Sequence, residues 1–314
     1  MITTDPTDIR RARIPLNRGG RSIPALGFGT LIVDPTETKT ATTNALKVGF
    51  RHFDCAERYR NEKSVGEALQ AELATGAITR DDVFITTKVW NTNHRSERVE
   101  PAFDGSCARL GISYVDLYLI HTPFAFQPGD NMEPRDQSDN IIYDPGVTLI
   151  ETWRGLENLV DKGKCGAIGL SDLDLDKVVP LYEAARIKPS VIQVESHPYL
   201  PQTELLEFCK QKGIVLLAFA PLGHGARPGP LEDPVVLDIA RQTSLTPAQV
   251  LLAWGIQRGT AILTTAKTLE RARENYSISA IPEAAVDAIN RIQTRTRLNS
   301  VVETGIPGFI RKGG

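Results

Sequence analysis

The chain has 314 residues, a formal net charge of −2, 41% apolar and 24% charged side chains. That is ordinary globular composition with room for a large core. It lacks the global basic field of a nucleic-acid binder, so an anionic ligand would need a local cluster of donors. The cysteines Cys55, Cys107, Cys165 and Cys209 are too widely spaced for a zinc pattern. They read as reduced thiols of a cytoplasmic protein. The opening stretch MITTDPTDIRRARIPLNRGG has no apolar secretory core, and the longest apolar run, 214–220, is far short of a membrane span. Neither a membrane nor a nucleic acid is therefore expected as a partner.

In chain order, the first element is a hairpin over 14–23, turning on Asn17-Arg18-Gly19-Gly20. Short apolar runs then alternate with longer stretches whose apolar positions recur at helical spacing. A strand at 25–30 precedes a helix at 36–48; 52–56 precedes 62–74; 83–89 precedes 96–110; and 115–121 precedes 147–162. The rhythm continues with 165–171 and 174–186, 190–195 and 203–212, 214–220 and 247–258, and 260–265 and 270–276. Gly49, Gly76, Gly111, Gly163 and Gly213 fall where helix C-caps are wanted. Eight β-then-α units in succession predict an α/β protein, a (β/α)₈ TIM barrel with an N-terminal hairpin cap, as one domain over 1–314. An open doubly wound sheet would need a glycine-rich fingerprint after the first barrel strand. Gly27-Phe28-Gly29-Thr30-Leu31-Ile32 lacks its third glycine.

Two long connections, 122–146 and 222–234, leave C-terminal ends of strands, where barrel enzymes build their sites. The tail 299–314 is a candidate to fold over the same rim. Reactive residue types collect there. Asp54 lies near the end of the second barrel strand with Tyr59 just beyond, Lys88 near the end of the third, and His121 at the end of the fourth. Each alone reads as an ordinary solvated or ion-paired side chain. An acid, an ammonium, an imidazole and a phenol on adjacent strands are harder to explain as decoration. Together they suit proton delivery to an oxygen that gains negative charge. Lys88 would stabilise the phenolate of Tyr59 and lower its pKa, and Asp54 would keep Lys88 charged. His94 and His197 have no partners at metal-ligand spacing and read as structural, so no metal is expected.

Ordered motifs along nearly the whole chain resemble the aldo-keto reductase family. They are Gly27-Phe28-Gly29-Thr30, Arg51-His52-Phe53-Asp54-Cys55-Ala56-Glu57-Arg58-Tyr59 with Asn61-Glu62, and Val115-Asp116-Leu117-Tyr118-Leu119-Ile120-His121. Ile168-Gly169-Leu170-Ser171, Gln193-Val194-Glu195-Ser196-His197-Pro198-Tyr199, Ala220-Pro221-Leu222-Gly223 and Arg271 with Glu274-Asn275 follow. The resemblance implies hydride transfer from NADPH, with NADH plausible, to a small aldehyde or ketone. It implies a catalytic tetrad of Asp54, Tyr59, Lys88 and His121, with Tyr59 as general acid. Ser171, Asp172 and Gln193 would hold the nicotinamide carboxamide, and Phe219 would stack on the ring. Gly29, Thr30, Leu31, Asp54, Ala220, Leu222, Thr264, Thr265, Ala266, Arg271, Glu274 and Asn275 would contact the rest of the cofactor. Leu31, Arg58, Trp90 and Thr122, with Tyr59 and His121, would line the substrate pocket.

Departures from the family pattern carry expectations of their own. Asp172 stands at a usual asparagine, and Thr265 and Ala266 stand at the Lys-Ser of NADPH-preferring relatives. Discrimination between the two nucleotides should therefore be reduced, unless Lys267 reaches in. Arg58 at the pocket rim can take a substrate carboxylate or pair with a loop carboxylate such as Asp130 or Glu133. Competing readings are a regulatory subunit that binds cofactor without turnover, a C=C reductase, and a Schiff-base enzyme. The complete tetrad disfavours the first. The intact His121 disfavours the second, since relatives of that type carry glutamate there. The Asp54 partner expected for Lys88 disfavours the third. A monomer or weak homo-oligomer is expected.

Overall fold

The computed structural model describes residues 8–18 and 20–299. The hairpin forms from β1 (Arg13–Pro15) and β2 (Ser22–Pro24), with Ile14 opposite Ile23. Its Leu16 and Ile23 join Phe84, Leu117, Val191 and Val215 in an inner apolar cluster, so the hairpin plugs the N-terminal end of the barrel. The barrel strands are β3 (Leu26–Gly29), β4 (His52–Asp54), β5 (Phe84–Val89) and β6 (Val115–Ile120). They continue with β7 (Cys165–Ser171), β8 (Val191–Glu195), β9 (Val215–Phe219) and β10 (Ala261–Thr264). All pair in parallel, and β10 closes onto β3.

Alternate residues of each strand face opposite ways. On β6, Leu117 and Leu119 fill the barrel, while Tyr118 and Ile120 meet the helices outside. Those helices are α1 (Pro35–Val48), α2 (Glu62–Leu73), α3 (Ser96–Leu110), α4 (Leu149–Asp161), α5 (Leu175–Ala184) and α6 (Thr203–Lys212). Asp34 caps α1 by accepting from the Glu37 amide at 2.8 Å, and Thr148 with Glu151 forms a capping box on α4. Gly111 and Gly213 end α3 and α6 in the left-handed region, as their sequence positions predict.

The sequence reading misses α7 (Pro234–Thr243) and α10 (Glu283–Asn290), which stand beside α8 (Pro247–Gln257) and α9 (Leu269–Tyr276). Asp233-Pro234 is a start signal for α7: Pro sits at the first helical position and Asp233 accepts from the Val235 amide at 2.9 Å. The expected loop therefore ends where that helix begins. α10 follows Pro282 and buries Ile289. With α8, these two helices form a satellite core around Trp254, outside the regular β-then-α rhythm. The tail placed at 299–314 lies, apart from Asn299, outside the described residues. Among the described residues no helix is long and apolar enough to cross a membrane, and all four cysteines are free and buried.

Candidate active site

Strand register assembles the site. Asp54 ends β4 opposite Gly29 of β3 and Thr86 of β5. Lys88, two residues beyond Thr86, projects from the same face of β5. Its Nζ donates to Asp54 Oδ2 at 2.7 Å, to the Cys55 carbonyl at 2.8 Å and to Tyr59 Oη at 3.3 Å, so all three protons have acceptors. Asp54 Oδ1 accepts from Gln193 Nε2 at 2.7 Å, across the barrel from β8. Tyr59 ends the short turn Glu57–Tyr59, which Arg60 closes with a left-handed φ of 57°. His121 follows β6; its ring stands edge-on to Tyr59 with centroids 5.6 Å apart and to Trp90 at 5.1 Å. The four residues singled out from sequence are thus one contiguous group.

Lys88 is fully buried. Burial alone would depress its pKa, but Asp54 first and Tyr59 second hold it above the usual lysine value. Tyr59 corrects the expectation of a lowered pKa. Burial pushes the phenol up, the Lys88 ammonium only partly offsets this, and the net direction is upward. Tyr59 is accordingly a firmly protonated donor. Burial, with Lys88 and Arg58 nearby, holds His121 well below the ordinary histidine value, so the ring is neutral. Its Nδ1 has no partner among the described residues. A neutral imidazole offers one N–H to an oxygen without adding charge.

Above this group lies a cleft of about 820 Å³. Around the tetrad it is lined by Leu31, Arg58, Trp90 and Thr122. Ser171, Asp172, Gln193 and Phe219 form its middle, with Ala220 and Leu222 on the following turn. Thr264, Thr265, Arg271, Glu274 and Asn275, from the end of β10 and from α9, line it on the far side of Gly29, which stands between Asp54 and Thr265. Asp172 and Ala220 hold left-handed φ angles of 66° and 50°, strained for residues with a Cβ, where two strands break into the cleft wall. Asn275 Nδ2 donates to Thr264 Oγ1 at 2.8 Å, tying α9 to the end of β10.

Three residues of the expected site do not line the cleft. Lys88 lies beneath the cleft and reaches it only through Asp54 and Tyr59. Thr30 is fully buried, and its amide and hydroxyl both donate to the Asp54 carbonyl, at 3.1 and 2.9 Å. It therefore braces the tetrad and does not line the cleft. The Ala266 side chain is also buried, packed into the main core. Lys267, the candidate substitute ammonium, pairs with Glu37 at 2.8 Å outside the cleft. Arg58 takes the ion-pair reading. Its guanidinium bonds Glu133 of the long loop after β6 and lies 5.4 Å above Trp90. Thr122 donates to Asn91 Oδ1 at 2.8 Å, which fixes its hydroxyl against the wall. The sequence reading missed His224, Arg227, Leu231, Ala248 and Asn299 of the lining. His224 and Arg227 sit in the loop after β9, already marked by its length. Asn299 opens the tail already marked as a candidate to fold over this rim, and Ala248 carried no signal.

A proton-donating phenol beside a buried ammonium and a neutral imidazole, under a cleft of about 820 Å³, defines a carbonyl reductase on a (β/α)₈ barrel. The family model described as "Aldo/keto reductase family" matches residues 25–294. The chain is 41% identical over 267 residues to human aldo-keto reductase family 1 member A1, covering 82% of each. It is 40% identical over 285 residues to the rat protein of that name, covering 87% of each. Its fold matches the structure of the aldose reductase from Schistosoma japonicum with a TM-score of 0.88 at 35% identity, over 94% of this chain and 97% of that one. The chain belongs to the aldo/keto reductase family, and its reaction is the NAD(P)H-dependent reduction of an aldehyde or ketone to an alcohol.

Proposed function

We propose that this chain uses NADPH in preference to NADH, with weakened discrimination, and that Tyr59, Lys88, Asp54 and His121 carry the chemistry. The observation that supports the roles is the unbroken chain from Asp54 Oδ2 through Lys88 Nζ to Tyr59 Oη, at 2.7 and 3.3 Å, beneath a cleft facing His121. The donor set fits a nicotinamide nucleotide. Gln193 and Ser171 would hold the carboxamide, and Asp172 would accept from its NH₂. The half-buried Phe219 ring would stack on the nicotinamide, and Arg271 would meet the adenosine end. When bound, the nucleotide would supply the hydride that the carbonyl carbon takes up. Tyr59 Oη gives its proton to the carbonyl oxygen, so the products are the alcohol and the oxidised nucleotide. Lys88 stabilises the phenolate left behind, and a His121 N–H orients the oxygen.

The preference for NADPH rests on family habit and on Arg271. Its weakening rests on Thr265 and Ala266, which offer no cation, and on Lys267, which Glu37 already engages. The substrate is a small carbonyl compound. A carboxylate on it would have to draw Arg58 away from Glu133. We also propose a single domain in a cytoplasmic monomer or weak homo-oligomer.

A panel of aldehydes, ketones and keto acids, assayed with both nucleotides, tests the reaction. In Tyr59→Phe, kcat should fall by about a hundredfold or more, the scale of general acid catalysis, while nucleotide affinity holds. A variant that keeps half the wild-type rate on a good substrate would remove Tyr59 from its role.

A further inference from the structure

Outside the tetrad, the most heavily engaged ionisable group in the barrel is Glu195, which the chemistry does not use. It is the last residue of β8 and faces the same way as Gln193, two residues earlier. It is fully buried, as is His197. Its Oε1 accepts from His197 Nε2 at 2.8 Å, from the Leu298 amide at 2.7 Å and from the Asn299 amide at 3.0 Å. Arg297 Nη1 stands 3.5 Å from Oε2. A buried carboxylate left without donors is costly, so these contacts hold three consecutive residues of the segment after α10 onto the C-terminal rim.

That segment touches the cleft in two ways. Asn299 lines it directly. Leu298 packs on the same satellite core as Leu222 and Leu231 of the connection after β9, and its Cδ1 lies 3.2 Å from where a Cβ on Gly223 of that connection would stand. Leu222 and Leu231 themselves line the cleft. Glu195 is also paired in register with Phe219, the ring assigned to the nicotinamide. One carboxylate therefore ties β8, the strap 297–299 and the loop after β9 into a single wall.

We infer that Glu195 is a positioning residue: it clamps the strap 297–299, and through Leu298 the loop after β9, so that it sets how long the nucleotide stays bound. This rests on the reading of the chain as a nicotinamide-dependent reductase. Glu195 touches neither Tyr59 nor Lys88, so its effect falls on release and not on proton or hydride transfer.

The test uses the full chain with NADPH and NADH as probes. Stopped-flow fluorescence gives the nucleotide dissociation rate, and single-turnover reduction of a good aldehyde gives the transfer rate. Glu195→Gln keeps the shape, removes the charge and sets an amide among three N–H donors. Dissociation should speed up about tenfold, the effect of losing a charge-assisted hydrogen bond, with transfer within about twofold of wild type. Leu298→Pro removes one donor and the leucyl side chain that meets Gly223, without touching the barrel, and should speed dissociation in the same direction. Both changes act on one strap, so the double variant should dissociate more slowly than the product of the two single effects. Wild-type dissociation in Glu195→Gln overturns the inference, as do strictly additive effects or a transfer rate that falls in step with release. If Glu195→Gln does not fold, wild-type dissociation in Leu298→Pro overturns it alone. A wild-type chain that binds neither nucleotide would instead defeat the functional reading.

Discussion

Asp54→Asn isolates the charge that holds the site together. The substitution keeps the shape of the side chain and removes one negative charge. Lys88 is fully exposed to that loss, because its other two acceptors, the Cys55 carbonyl at 2.8 Å and Tyr59 Oη at 3.3 Å, are neutral. Breaking a buried pair from one side costs about 3–5 kcal/mol, a large share of the roughly 5–15 kcal/mol that holds a domain folded. Gln193 adds to the penalty, since its Nε2 donates to Asp54 Oδ1 at 2.7 Å and would face an amide of uncertain orientation. The sign with pH is fixed. In the wild type the Lys88 pKa is raised, which contributes stability below the ordinary lysine range. Without Asp54, burial depresses it, so the variant's unfolded chain binds the proton more readily and the variant gains stability as pH rises toward about 10.4. Urea unfolding should therefore show a deficit of about 3–5 kcal/mol at pH 7 that narrows toward pH 10. The double variant Asp54→Asn with Lys88→Met should cost less than the sum of the single changes, because no lone charge remains. A deficit under about 1 kcal/mol at pH 7, with no narrowing, would refute the account of a charge-locked pair.

Two further outcomes follow from other parts of the molecule. Thr265→Lys should raise NADPH affinity about tenfold while leaving NADH unchanged, as read by quenching of tryptophan fluorescence; no change would mean that position 265 does not face the 2′-phosphate. Burial holds His52 and His94 at about 3, below the ordinary 6.5. A base whose folded pKa is depressed contributes stability above its unfolded pKa and loses it as pH falls from 6.5 toward about 3. Each histidine should add about 1.4 kcal/mol per pH unit to the slope in that window, and His94→Gln should flatten the slope by one proton's worth. An unchanged slope would show that His94 titrates alike in the folded and unfolded chains.

The regular part of the fold was legible because buried parallel strands and their covering helices have different apolar periods, and these alternate from 25 to 276 with α7 the one extra helix. The tetrad was legible for a related reason. Side-chain direction in a strand repeats every two residues, so Asp54, Lys88 and His121, each at or near a strand end, had to meet on one rim once the barrel closed. α7 and α10 escaped because each is an additional helix in its unit, α7 sharing the stretch after β9 with α8 and α10 following α9, and both pack on the satellite core around Trp254. Tyr59 was placed correctly but its electrostatics were not: sequence named the Lys88 ammonium beside it, whereas only the packed structure supplies the burial that outweighs that charge. The partner of Arg58 was narrowed to two loop carboxylates, and only the folded loop after β6, pinned by the Phe126–Tyr143 bridge, selects Glu133.

The same contrast separates the two ends of the cleft. At the tetrad, every charged group has its counter-charge within the barrel wall, so the machinery is held independently of any ligand. At the far end, Thr265 Oγ1 is spent on the Gly29 carbonyl at 2.8 Å and Lys267 on Glu37, leaving Arg271 beside Glu274 as the nearby charges. On the proposed function, reaction chemistry and nucleotide choice are carried by separate groups, at opposite ends of one cleft. Substitutions at 265 or 271 should move nucleotide affinity without moving the transfer rate, and substitutions at 54, 59 or 88 should do the reverse. Gln193 links the two sets, since it bonds Asp54 and also faces the assigned nicotinamide position. Its loss should disturb both at once.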